Sequence, residues 1–569
     1  MSIGSWLEER TGWRSNVGAA LDTKIAGGPS FAHVFGAVLG SILVIQAVTG
    51  ILLAMSYSPS VSAAWASVAY IEDQVALGWF IRGMHLYGSS AMVIVAGLYL
   101  LQSAVWGGYK KPRELVWILQ VVILGVLMLF PLTGHGLPWD QQGYWATKVE
   151  LGITASAPGG AYIVQLAQGG NDMGNLTLTR LYAIHALLLP ALVLILWLVR
   201  RALIRHHGLT PKWNAPDTAV GYFPDQAFRD AIAIALAVAA LIAYTVYQGG
   251  APLAAPADST VPFDARPEWF IRPLFQLRKY AGPLEHLAAL GAPVVVGGFL
   301  IGLPFVDRSP DRSPRRRPLV MAALALGGVV VLALVGLSFR DDANDEDLAK
   351  RVAWSEKRAA QARSLALANG VPPTGGTAVF STAPHWQARV IWQKACASCH
   401  EGDDRKGPLI TVGYGSRAWI RGFLTDPSGD AYFGRTKLAK TDKAMKAVEQ
   451  TGAELDALVE MVYAQSGAKD VDAKKVEIGV GLFDSVCSDC HEREAGKDSD
   501  PGPNLFGMGS LAHRASLIAN PAAPTMYGAH NEMPAFAADT TESDRAAIAT
   551  WLAWMQTATA RDVEALGEP

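Results

Sequence analysis

The sequence predicts a mainly α-helical protein: a seven-helix transmembrane bundle followed by two small α-helical domains. Three observations carry that prediction. Seven stretches are apolar and long enough to cross a bilayer. Composition changes after Arg340, from apolar to charged and Ala-rich. The last third carries one short motif twice, "CASCH" at Cys396–His400 and "CSDCH" at Cys487–His491. The totals agree. With 51% hydrophobic residues and a mean hydropathy of +0.21, the 569-residue chain is too apolar for an ordinary soluble protein. With 17% charged residues it is too polar for a purely membrane one. A net charge of −2 gives no global basic signature, so no nucleic-acid partner is expected.

The opening "MSIGSWLEERTGWRSNVG" is amphipathic and charged. It lacks the basic-then-apolar order of a cleavable signal peptide, so the first span is expected to act as the insertion signal. The spans are read at 31–55, 79–106, 114–133, 181–204, 227–247, 284–305 and 318–338. Lys and Arg cluster after the second, fourth and sixth spans, in "GGYKKPRE", "RRALIRHHG" and "DRSPDRSPRRRP". Those three loops are therefore placed in the cytoplasm. An odd number of spans then puts everything after 340 outside, the periplasm of a bacterial inner membrane. The expected division is 1–220 and 221–340 for the membrane part and 341–381 for a linker or solvent helix. Two small domains follow at 382–468 and 469–569.

All four cysteines lie in the two motifs: Cys396, Cys399, Cys487 and Cys490. C-x-x-C-H is the attachment motif of c-type haem. Two thiols form thioethers to the porphyrin, and the next residue, His400 or His491, supplies an axial iron ligand. A redox dithiol or a zinc pair would not require the histidine each time. The surroundings also repeat: "GPLITVGYGSRAWIRGFLTDP" follows the first motif and "GPNLFGMGSLAHRASLIANP" the second. Each haem needs a sixth ligand. Met533 in "NEMPAF" stands where the distal Met of small cytochromes c usually does, and Met445 in "KTDKAMKAV" aligns with it across a short insertion. A Met on a helix is more often packing than ligand, so Met445 is the weaker candidate.

Ionisable residues inside spans are costly and are functional candidates. His85 in the second span and His185 in the fourth lie near the same membrane face. Two imidazoles facing each other across a bundle make a haem b site, although unrelated packing histidines would show the same spacing. Glycines let a flat porphyrin approach backbone, and Gly50 and Gly134 lie at the depth of the two histidines. Arg82, three residues before His85, is grouped with this cofactor site.

These pieces resemble cytochrome b of the quinol:cytochrome c oxidoreductases. The matching stretches are "FGAVLGSILVIQAVTGILLAM", "IRGMHLYGSS", "YKKPRELVW", "TGHGLPWDQQGYWATKV", "LTRLYAIHALLLP" and "RPEWF". The resemblance implies an external quinol-oxidation pocket formed by the loop after the third span and by Pro267, Glu268, Trp269 and Phe270. Glu268 would take a proton from quinol; Phe270 stands where the family has Tyr. It also implies a larger complex, a homodimer, with a soluble cytochrome c or a terminal oxidase as acceptor. A Rieske subunit must be a separate chain, because its cluster needs two Cys and two His and every Cys here is committed. His135, in "TGHGLPW", is read as resting at the pocket's edge rather than relaying protons.

The family carries a second haem b near the inner face, held by histidines about fourteen residues after the first pair. Here those positions are Tyr99 in the second span and Val199 or Arg200 in the fourth. The matching clearance glycine is kept as Gly36 but replaced by Gln120 in the third span. The expectation is therefore one haem b, on the external side, and two covalent haems c, with quinol as substrate. Two alternatives stand beside it: His33, His206 or His207 holds a displaced inner haem, or Arg200 merely snorkels to the headgroups. Two functions remain open. One is a quinol-oxidising enzyme subunit with a fused dihaem electron acceptor. The other is a membrane-anchored electron conduit without a complete Q-cycle.

Overall fold

The computed structural model describes residues 2–566. Among the described residues, seven helices are long and apolar enough to cross a membrane: Phe35–Ala54, Gly78–Val105, Glu114–Gly134, Asn175–His207, Asp225–Tyr247, Arg272–Val306 and Pro318–Ala343. The sixth begins with a short amphipathic helix, Arg272–Ala281, before Glu285–Val306. These helices form because their apolar runs leave the backbone no partner but itself in lipid. Residues 1–379 make one compact unit and 380–569 another.

In the first unit, Val38, Ile42, Met92, Leu127 and Val193 interlock the first four spans. Loop contacts sort the two ends. At one end Arg113 donates to the His207 carbonyl at 2.7 Å, Lys110 to the Asp307 carbonyl at 2.8 Å, and Arg317 to the Ala104 carbonyl at 3.0 Å. The three Lys/Arg-rich loops therefore share one end, as their composition predicts. At the other end Tyr57 donates to the Leu137 carbonyl, Trp65 to the Ala254 carbonyl and the Ala254 N–H to Asp140. Those contacts bind the other three loops into one cap.

The segment read as a linker or solvent helix is mostly helical and belongs to this unit. Glu346–Asn369 is a helix started by Asp345, whose side chain accepts from the Leu348 N–H. Arg363 ties it to Asp73, with Nε 3.1 Å from Oδ2. Ala-rich, charged composition signals an exposed helix face; it does not reveal which cation finds a carboxylate.

The second unit contains both repeats, and their helices exchange partners. Trp386–Ala395, which leads into Cys396, packs on Glu542–Met555 near the chain's end. Ala473–Val486, which leads into Cys487, packs on Gly452–Ala464, the last helix of the first repeat. Each repeat's middle helix, Arg417–Thr425 or Leu511–Ala519, is begun by a serine, Ser416 or Ser510, accepting from a backbone N–H three residues on.

Candidate functional site

The second and fourth spans bring His85 and His185 together, with ring centroids 6.1 Å apart. That separation suits two imidazoles on opposite faces of one metal: roughly 2 Å of metal–nitrogen bond on each side, plus the ring radii. Each Nδ1 is already paired. His85 Nδ1 lies 2.9 Å from the Thr49 hydroxyl and His185 Nδ1 lies 3.0 Å from Thr133. These bonds orient the rings and leave both Nε2 atoms as the coordinating nitrogens. The glycines stand beside them. A Cβ on Gly50 would lie 3.1 Å from His85 Cε1, and one on Gly134 would lie 2.7 Å from His185 Cε1. The residues present therefore fit a flat, bis-histidine cofactor. Thr49 and Thr133 were missed in the sequence, yet a signal exists: each immediately precedes its glycine, a Thr-Gly pair occurring once per helix. Arg82 is engaged by protein, pairing with Glu72 at 2.9 Å and donating to the Ala251 and Pro252 carbonyls at 2.8 and 2.7 Å.

Further along the same helices the arrangement differs. Ile184–Leu188 is a π-helical turn inside the fourth span, which shifts the helix by about one residue. It settles which residue points inward: Val199 is 47% exposed, Arg200 only 6%. Arg200 therefore does not snorkel to the surface. Its guanidinium carbon sits 4.7 Å from the centre of the Tyr99 ring, and its Nη2 donates to Gln120 Oε1 at 3.1 Å. Gln120 is itself buried and also accepts from Ser103 at 3.2 Å. Tyr99 lies over Gly36, 3.6 Å from where a Cβ would be. Tyr99, Gln120, Arg200 and Gly36, noted separately in the sequence, form one contiguous cluster. The three alternative histidines each pack against another ring. His33 packs edge-on against Trp106, and His206 packs against His207.

Glu268 lies in the cap, half-buried. The loop after the third span reaches its segment directly: Gln142 Nε2 donates to the Arg266 carbonyl at 2.7 Å. Trp269 Nε1 lies 3.4 Å from the Ser90 hydroxyl on the second span and stands edge-on to Phe270. Pro267 is half-buried beside them. The next helix starts here, since the Ile271 and Arg272 N–H groups both donate to the Glu268 carbonyl. Arg272 is occupied by Asp342 at 2.6 Å. Burial pushes the Glu268 carboxyl above its ordinary range; the Arg272 charge opposes this only partly. A carboxylate with a raised proton affinity in a loop-built cap holds a proton more readily than an exposed glutamate does, which suits it to proton transfer. His135 caps the third span, its N–H donating to the Pro131 carbonyl at 2.9 Å.

In the second unit the two attachment motifs share one geometry. The His400 and His491 N–H groups donate to the Cys396 and Cys487 carbonyls, at 3.1 and 2.9 Å, so each Cys-x-x-Cys-His is a single helical turn. His400 Nδ1 is 2.9 Å from the Pro408 carbonyl, and His491 Nδ1 is 2.7 Å from that of Pro503. Each Nε2 is again left to coordinate. Burial lowers both histidine pKa values, which favours the neutral ring a metal needs. Gly407 and Gly502 precede those prolines, and a Cβ there would reach the rings at 3.0 and 2.2 Å. No disulfide joins any of the four cysteines. Met445 packs into the cluster that holds Cys487. Met533 is half-buried, its N–H donating to Asn531 at 3.0 Å.

Comparison with known proteins agrees with this layout. Residues 22–208 match the family Cytochrome b/b6/petB. Residues 474–552 match Cytochrome C oxidase, cbb3-type, subunit III. Cytochrome b6 of Chlamydomonas reinhardtii is 35% identical over 209 residues, 37% of this chain and 97% of the relative. A cytochrome bc complex cytochrome b subunit of Chlorobaculum thiosulfatiphilum is 30% identical over 313 residues, 54% of this chain and 72% of the relative. A solved hyperthermophilic respiratory Complex III chain superposes with a TM-score of 0.53 at 27% identity, covering 59% of this chain and 91% of that one.

Proposed function

The chain belongs to the cytochrome b/b6 family, and from that premise we propose that it oxidises quinol with one b haem instead of two. It is a cytochrome b of a bc-type complex, multi-pass in its membrane and fused to a C-terminal cytochrome c domain. His85 and His185 hold the b haem on the external side, between Gly50 and Gly134. His400 and His491 hold the two covalent haems c. When bound, the haems supply one-electron redox centres. Glu268 takes one proton at its carboxylate as quinol becomes quinone; the second proton leaves to the external solvent, and of the two electrons one would go to the haem held by His85 and His185. Pro267, Trp269 and Phe270 shape the pocket around it, and the loop after the third span closes it. A separate Rieske iron–sulfur subunit takes one electron. The fused tail serves a periplasmic acceptor, a soluble cytochrome c or a terminal oxidase. The assembly is a dimer of the complex in a bacterial inner membrane.

The single observation that supports one b haem is the Tyr99–Arg200–Gln120 cluster. It puts a buried cation and two bulky side chains where ligands and clearance would be needed. The same cluster favours the second reading, a conduit without a complete Q-cycle, because the usual electron path across the membrane would stop halfway. The test is quinol-dependent reduction of the haems c in the purified complex. Reduction that Glu268→Gln slows at least tenfold supports the enzyme. Reduction by quinol that is indifferent to Glu268, or none at all, supports the conduit.

A further inference from the structure

We propose that each haem c crevice is built from both repeats, so that Met533 completes the haem held by His400 and Met445 completes the haem held by His491. The inference rests on the haem c reading above and goes beyond it. Tandem repeats would ordinarily each close on themselves, with His400 paired to Met445 and His491 to Met533.

Two separate hydrophobic clusters point the other way. The first joins Ala388, Trp392 and Cys396 of the first repeat to Ile518, Phe536 and Trp551 of the second. Trp392 meets Trp551 with ring centroids 4.9 Å apart. Phe536 lies three residues after Met533, and its N–H donates to the Ile518 carbonyl at 3.1 Å. The Met533 loop is thereby fixed to the crevice that contains Cys396. The second cluster joins Met445, Leu455 and Leu458 of the first repeat to Phe483, Cys487 and Leu505 of the second. Met445 itself is in this cluster, with the cysteine of the other motif.

Polar contacts follow the same exchange. The Gly413 N–H donates to the Met555 carbonyl at 2.8 Å. Gln556 donates to the Gly415 carbonyl at 2.6 Å, and Gln387 to Asp544 at 2.6 Å. The crossover falls at 413–416 and 507–510, where "GYGS" and "GMGS" stand at equivalent places and all four glycines have positive φ. The helices after each crossing pack in the other crevice, while the loops stay bonded to their own motif: the Leu409 N–H donates to the Ala431 carbonyl at 3.0 Å and the Asn504 N–H to the Thr525 carbonyl at 3.1 Å. The middle stretch, about 416–508, thus forms one cytochrome c body in permuted order, and the flanking stretches form the second.

The physical reason lies in the chain between the repeats. Only residues 465–472 separate Gly452–Ala464 from Ala473–Val486. Closing so short a loop costs less entropy than bringing Trp386–Ala395 to Gly452–Ala464 across some sixty residues. The crossing itself is prepared. A Cβ on Gly479 would lie 2.3 Å from the Ala457 carbonyl oxygen and 2.7 Å from Met461 Cβ, so only glycine allows that approach. Eight residues before the other motif, Ala388 is wholly buried at the equivalent place. Exchange of identical elements between repeats is domain swapping within one chain.

The experiment uses the full-length, haem-loaded chain. Cys487→Ala with Cys490→Ala leaves one haem c, at Cys396 and Cys399, beside the b haem, whose two histidine ligands give no sulfur band. In that background Met533→His should abolish the charge-transfer band of a sulfur-ligated ferric haem and lower its midpoint potential, while Met445→His should leave both unchanged. The reverse result overturns the crossing. A protease site placed within 465–472 gives an independent measure without altering any ligand. After cutting, the fragment from 473 onward should stay with the membrane part through both haem crevices, and its release on washing overturns the proposal. A chain with no covalent haem at all would instead refute the haem c reading on which the inference stands.

Discussion

At the scale of single residues, function rests on a few groups whose surroundings set their chemistry. Burial raises the Glu268 carboxyl above the 4.5 of an ordinary glutamate. Its base form therefore accumulates only as pH climbs past that range. Quinol-dependent reduction should rise with pH through this raised value, and Glu268→Gln should flatten the rise; pre-steady-state reduction of the haems across pH reads both. Gly134 answers to space, not charge. A methyl there would overlap His185 Cε1 at 2.7 Å, a kind of overpacking that costs about 1–3 kcal/mol. Gly134→Ala should accordingly lose most of the b haem while keeping both haems c, as a haem-resolved absorption spectrum would show. His85, His185, Gly50 and Gly134 are legible in the sequence because a membrane span makes every polar or missing side chain conspicuous. Arg200 is only half legible. Its position is plain, but a π-helical turn decides that it faces inward rather than toward the headgroups.

At the scale of elements, helices were readable and their partners were not. Seven apolar runs give seven spans within a few residues, since hydropathy depends on composition alone. The loops of each end find one another because alternation leaves them no other side. In the tail, the repeat motifs identify equivalent helices but are silent on whether a helix pairs within its own repeat. Two copies of one interface satisfy the same apolar pattern either way, and loop length settles the choice. One ion pair stabilises the body formed by the middle stretch, 416–508. Arg417 holds Glu460 through two bonds, at 2.7 and 2.8 Å, and draws its carboxyl down to about 2 from the usual 4.5. A lowered carboxylate contributes stability above its unfolded value and loses it as pH falls through the folded one. Glu460→Gln should therefore lower the tail's melting temperature at neutral pH. The difference from the parent should shrink between about 4.5 and 2; thermal melts followed by haem absorption at several pH values would show it.

At the scale of the whole molecule, a membrane cytochrome b and a haem-bearing tail are joined in one chain. On the proposed function, that join would remove one diffusional step between quinol oxidation and the acceptor. The cluster of Tyr99, Gln120 and Arg200 limits what the membrane part can do with a second electron. The most direct test is a pyridine haemochrome on the purified full-length chain, which counts haem b against haem c. One haem b for every two haems c is expected. Two haems b for every two haems c would contradict it, because an inner haem would then occupy the space assigned to Arg200 and its neighbours.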